Sequence, residues 1–172
     1  MFAPAKTPAE IIARLNQETL RVLARADAVA FCQQVRALRP DMVFGADFIA
    51  GFPTETDEMF AATLAMVEDC GLTHLHVFPY SPRPGTPAAR MPQVAGPLIK
   101  ARAKALREKG EAALRAHLEA QVGQTISVLT ERGGTGRAQD FTPVATPDRP
   151  AGEMFEARVA GHDGARLFLA DK

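Results

Sequence analysis

Between Gly45 and Gly51 the chain sets a glycine, an aspartate, an isoleucine and a second glycine at every other position, and Pro53 ends the run. Successive side chains of a β-strand point to opposite faces, so Gly45, Asp47, Ile49 and Gly51 share one face. Phe44, Ala46, Phe48 and Ala50 share the other. The bulky face is suited to packing under helices. The opposite face offers bare backbone, one carboxylate and one branched apolar group, a surface suited to receiving a ligand. The same spacing also fits an ordinary strand whose glycines are there for close packing, and spacing does not separate the two.

The flanking sequence predicts what surrounds this strand. Residues 8–38 carry apolar positions at helical spacing, among them Ile11, Leu15, Val22, Val29, Cys32 and Val35, up to a stop at Pro40. After the strand, Thr54 or Thr56 can cap a helix with Met59, Phe60, Thr63, Leu64, Val67 and Cys70 on one stripe, closed by Gly71. Residues 73–80 read as a second strand, with Leu75 and Val77 on one side and His74, His76, Phe78 and Tyr80 on the other. Strand, helix and strand with short joins imply two parallel neighbours. The prolines between 79 and 92 predict a rigid loop, and residues 97–120 a long helix that begins at Pro97 and stops before Gly123.

From Gln124 onward the pattern changes to short alternating runs, 125–130, 138–145, 153–160 and 165–169, with a Gly133-Gly134 turn. Short strands separated by glycine and proline suggest a small barrel or sandwich. The fold class expected is therefore α/β, with a small all-β domain beginning near Gln121.

Charge narrows the partners. Twenty basic and twenty acidic side chains cancel, so contact with a nucleic acid has to come from a local patch. No apolar run is long enough for a bilayer and no secretory pattern opens the chain, which makes the cytoplasm the default compartment. The two cysteines, Cys32 and Cys70, lack metal-ligand spacing and read as reduced, buried, small apolar residues. His74 and His76 could chelate a metal, but no third ligand accompanies them, so no metal site is expected.

Two longer motifs carry a family resemblance. Residues 45–56, with the later run from His76 through Tyr80, Pro82, Arg83, Gly85, Thr86 and Arg90 to Pro92, resemble the C-terminal half of the radical S-adenosylmethionine domain of tRNA methylthiotransferases. Val122, Gly123, Val128, Leu129 and Glu131, followed by Gly136, Arg137, Ala138, Phe141 and Val144, are similar to the RNA-binding TRAM domain of the same enzymes. The likeness covers residues 25–169, and the loop wording is most similar to the type acting on threonylcarbamoyladenosine beside the anticodon.

The resemblance implies a partial radical S-adenosylmethionine (β/α) barrel over 28–96, a connecting helix over 97–120 and a TRAM-like RNA-binding domain over 121–172. It implies S-adenosylmethionine and iron-sulfur clusters as the family's cofactors and tRNA as partner. Gly45, Asp47, Ile49, Gly51 and Pro53 would line the S-adenosylmethionine pocket, with Asp47 near the methionine ammonium. Tyr80, Arg83, Arg90, Arg132 and Arg137 would meet the substrate RNA, with Arg158 and Arg166 in the same basic set. Phe141 and Phe155 read as core. Lys100, Lys104 and Arg107 form a basic helix stripe that suits either RNA or solvent.

The family's cluster-binding cysteine loop is missing from these residues, which implies a chain that is inactive by itself and holds S-adenosylmethionine weakly or not at all. No catalytic residue is expected in it. A stand-alone RNA-binding module acting through the tail is the alternative. Residues 2–18 resemble tricarboxylate-transporter solute-binding proteins, so 1–27 reads as a foreign N-terminal helix, and a solute-binding fragment is a further, weaker alternative. Uncovered barrel edges would allow self-association.

Overall fold

The computed structural model describes residues 26–147 and 149–170. The resemblance carried by residues 2–18, and nearly all of the expected N-terminal helix, lie outside them. The chain divides into two compact units, one ending at Gly110 and one beginning at Glu111.

In the first unit, helix α1 (Ala26–Leu38) precedes strand β1 (Phe44–Ala50), helix α2 (Asp57–Asp69) and strand β2 (Leu72–Pro79). Helix α3 (Gly96–Gln121) follows and runs on past the division between the units. β1 and β2 pair in parallel, with Gly45 opposite His74, Asp47 opposite His76 and Ile49 opposite Phe78. The alternation in β1 does what the sequence demands: Phe48 and Ala50 are buried while Gly45, Asp47 and Ile49 are exposed.

Sequence sets the limits of α2. The Thr56 side chain accepts a hydrogen bond from the Met59 amide at 3.2 Å, covering one of the free donors of the first turn. At the far end Gly71 turns left-handed at φ 58°, and its carbonyl accepts from Arg36 Nη2 at 2.7 Å. The left-handed backbone is what calls for glycine here; a Cβ would also meet the Arg36 guanidinium, the movable end of a long side chain. The core beneath the sheet combines Cys32, Phe48, Ala50, Val67, Cys70, Leu72, Ala103 and Leu106. Full burial of a leucine such as Leu106 contributes about 2 kcal/mol. Both cysteines lie free and buried in this cluster, and burial, with Cys32 as neighbour, pushes the Cys70 thiol up.

The proline-rich loop is ordered by its own hydrogen bonds. Thr86 donates through Oγ1 to the Arg83 carbonyl at 2.8 Å, and Gly85 takes φ 83°. A single 3₁₀ turn, Ala88–Arg90, forms where the sequence predicted loop throughout, and Met91 is buried behind it.

The second unit is a closed five-stranded barrel in the order β3-β4-β5-β7-β6. Its strands are β3 (Thr125–Glu131), β4 (Thr135–Ala138), β5 (Pro143–Ala145), β6 (Met154–His162) and β7 (Leu167–Leu169). Val128, Val144, Val159 and Leu167 fill the interior, and Leu118 from the last turns of α3 joins them. Gly136 has to be glycine, because a Cβ there would come within 2.8 Å of the Leu129 carbonyl oxygen. The α/β piece and the small barrel expected from the sequence are both present. One expectation needs correcting: 138–145 is not one strand, because Ala138 donates to the Thr142 carbonyl and the chain reverses between them. The reversal is fixed by the Asp140 carboxylate, which accepts from the Thr142 amide at 3.0 Å, an interaction that alternation of apolar residues does not reveal.

Candidate functional site

In the first unit, strand register builds the candidate surface. Gly45, Asp47 and Ile49 stand beside His74, His76 and Phe78 on one face of the parallel pair. Ile49 and Phe78 remain more than half exposed, and as cross-strand neighbours they make a continuous apolar patch. Asp47 and His76 are likewise exposed and adjacent. The face therefore offers an anionic group, an imidazole and an apolar floor.

Its glycines differ in role. A side chain on Gly45 would meet the His74 carbonyl oxygen at 3.0 Å, so the bare backbone reflects a close strand neighbour. Gly51, with φ 75°, is buried, and the space a side chain would need is taken by Ile99, whose Cγ1 lies 2.6 Å from where a Cβ would stand. Pro53 is buried beside it.

Just beyond the strand, an ion network that sequence reading missed holds the turn. The Glu55 carboxylate accepts from the Gly51 amide at 2.9 Å and from Arg102 Nη1 at 2.7 Å. Arg102 also donates to the Glu55 carbonyl at 3.0 Å and to Asp57 at 2.6 Å. Arg102 and Glu55 are both buried, and the guanidinium sits 5.4 Å from the centre of the Phe60 ring. Burial opposes the arginine charge; its hydrogen bonds to Asp57 and Glu55 outweigh that and raise its pKa. Arg102 lies 47 and 45 positions from Glu55 and Asp57 along the chain, so no local pattern announces them.

Tyr80 packs edge-on to Phe52 with ring centres 5.2 Å apart. Its hydroxyl is buried without a hydrogen-bond partner among the described residues, and burial raises its pKa. Arg83 and Arg90 are exposed on the proline loop. Among the described residues, no group of three or more His, Cys, Asp or Glu side chains could hold a metal ion. The chain's two cysteines, both buried in a helix-packed core, do not fit an iron-sulfur cluster.

The second unit presents two basic features. One is a cleft of about 720 Å³ bordered by Gly133, Gly134, Thr146, Arg149, Arg166 and Phe168. Arg149 lies over the Phe155 ring at 3.6 Å and Arg166 over Phe168 at 5.8 Å. Guanidinium on aromatic is a pairing that presents both charge and a flat face. Sequence reading does not single out Arg149, since it stands alone between prolines. The other feature is the outer barrel wall, where Arg137 bonds Glu131 at 3.4 Å and the Phe141 carbonyl at 3.2 Å, with Arg132 exposed on the neighbouring turn. Phe155 is half-buried against the core as expected, but Phe141 is not core: it is 74% exposed.

No protein-family profile matches the chain. Curated proteins do. The threonylcarbamoyladenosine tRNA methylthiotransferase MtaB of Rickettsia prowazekii is 46% identical over 138 residues, 80% of this chain and 33% of that protein. A tRNA-2-methylthio-N(6)-dimethylallyladenosine synthase of Cereibacter sphaeroides is 43% identical over 102 residues, 59% of this chain and 23% of that protein. Its namesake in Corynebacterium efficiens is 37% identical over 151 residues, 78% of this chain and 29% of that protein. The chain thus spans no more than about a third of the length of these relatives. A match of 138 residues is longer than either unit, so it runs through both. Across most of its length, this chain is a homologue of the tRNA methylthiotransferases.

Proposed function

We propose that these residues supply two working parts of a tRNA methylthiotransferase of the threonylcarbamoyladenosine type. The observation that carries this reading is the 46% identity running through both units. In the first unit, the exposed Gly45, Asp47 and Ile49 form one wall for S-adenosylmethionine, and the buried Gly51 and Pro53 shape the turn behind it. Asp47 faces the ammonium of its methionine part, and the Ile49 and Phe78 side chains give its adenine an apolar bed. The Arg102, Glu55 and Asp57 network keeps the turn after that wall in place. Tyr80, Arg83 and Arg90 lie toward the substrate base. In the second unit, the barrel holds tRNA through Arg132 and Arg137 and through the cleft of Arg149 and Arg166.

Bound S-adenosylmethionine, with a reduced cluster, supplies the radical chemistry and the methyl group in such enzymes. The residues here bind, orient and shield. They do not include ligands for a cluster, so the chain on its own is proposed to be inactive in methylthio transfer. Anaerobic reconstitution with iron and sulfide tests this: the visible spectrum should show no stoichiometric cluster band, and a stable one would overturn the reading.

A second reading follows from the closed barrel with its own core, which needs no strand from elsewhere. The chain would then be an RNA-binding module, working through residues of the second unit alone. Substituting Asp47 leaves RNA affinity unchanged in both readings. Only the first predicts that the chain's association with S-adenosylmethionine, weak as it is, depends on Asp47.

A further inference from the structure

Phe141 is placed where a phenylalanine costs stability and gains no packing. It occupies the left-handed backbone region at φ 65°, one of only two non-glycine residues to do so among those described. Hairpins of this short kind put glycine or asparagine at such a position, since a Cβ there crowds the backbone. An exposed aromatic ring repays none of that cost, and its ring is 74% exposed.

The backbone around it leaves no freedom to relax. Phe141 donates to the Ala138 carbonyl at 3.0 Å, and its own carbonyl accepts from Arg137 Nη1 at 3.2 Å. On one side, Asp140 is held by His117 Nε2 at 2.7 Å; on the other, Thr142 is completely buried. With both neighbours anchored inward, the ring between them is directed outward. Register places Arg137 opposite Leu129 and Leu129 opposite Met154, and all three side chains are exposed on the outer wall. Strain held in place by its surroundings, at an exposed aromatic, is a mark of function. Phe141 lies outside the arginine cleft.

We infer that Phe141 is a stacking platform for one unpaired nucleobase of the RNA, with the Arg137 guanidinium beside it for the adjoining phosphate. This rests on the reading that the barrel holds RNA. Single-stranded loops are recognised in this way, by bases splayed onto aromatic faces next to arginine. A flat ring and a cation paired, among the described residues, with the exposed Glu131 suit a nucleotide better than an apolar protein surface, which would want Leu129 and Met154 without the charge.

The test compares the full chain with its Phe141→Gly, Phe141→Trp and Arg137→Ala variants, against a tRNA anticodon stem-loop and a blunt RNA duplex across a salt series. The expected outcome is that Phe141→Gly unfolds at the same or a higher temperature, yet binds the stem-loop about five- to hundredfold more weakly by a factor that does not change with salt. Phe141→Trp should keep the affinity, Arg137→Ala should lower the salt slope by about one, and duplex binding should be unaffected by Phe141→Gly. Equal stem-loop affinity for Phe141→Gly overturns the inference while leaving RNA binding by the barrel intact. So does a change confined to the sedimentation of the free chain, which would make the ring a contact between copies. A parent chain that binds neither RNA overturns this inference together with the reading beneath it.

Discussion

Thr54 and Phe141 are the two residues other than glycine with positive φ among those described, and they follow different logic. Thr54, at φ 72°, sits in the turn between β1 and α2, where a β-branched side chain is strained. Thr54→Gly should therefore stabilise the chain by roughly 1 kcal/mol, read as a higher urea midpoint at unchanged slope. A lower midpoint would mean that the Thr54 side chain contributes something its exposed position does not suggest. Asp47 could be placed on the open face from sequence because the two-residue period of a strand is a local property. The exposure of Phe141 could not: it depends on an Asp140 carboxylate held by His117, 23 positions away on a helix. A phenylalanine among short strands reads as core until that anchor is known.

The turn after β1 is fixed by a buried polar group and the β4-β5 hairpin by a half-buried one. Arg102 ties α3 to the chain at Glu55 and Asp57, and removing it leaves the Glu55 carboxylate buried without its cation. Arg102→Met should cost about 3–5 kcal/mol, measured by chemical denaturation, whereas the usual surface ion pair is worth under about 1 kcal/mol. A loss as small as that would show that the network is not needed to hold the turn. In the hairpin, burial works against the Asp140 charge, but hydrogen bonds from His117 and Thr142 prevail and hold its pKa down at about 2, against an ordinary 3.8. Because the folded value is the lower one, its contribution is complete above about pH 4. It is lost as pH falls toward 2, and amounts to about 1 kcal/mol after allowance for solvent at its edge. Acid titration of stability should show this step, and Asp140→Asn should remove it; an unchanged profile would contradict the assignment. Helices α2 and α3 and the parallel strands were legible because caps, terminators and apolar stripes lie within a few residues of one another. The split of 138–145 into two strands was not, since a side-chain-to-backbone turn leaves the apolar pattern uninterrupted.

Taken as a whole, the molecule joins an α/β unit with one open sheet face to a closed barrel, in a homologue whose match covers a third of the Rickettsia relative. No helix among the described residues is long and apolar enough to cross a membrane. The balanced overall charge means that any RNA affinity comes from a few local arginines and so from few phosphates. The most direct measurement is a titration of the full chain with a tRNA anticodon stem-loop bearing threonylcarbamoyladenosine, repeated from about 50 to about 200 mM salt. With about three phosphates contacted, saturable binding should weaken roughly 10- to 100-fold across that range. Absence of saturable binding at the lowest salt would contradict the proposal that the second unit of this chain holds tRNA.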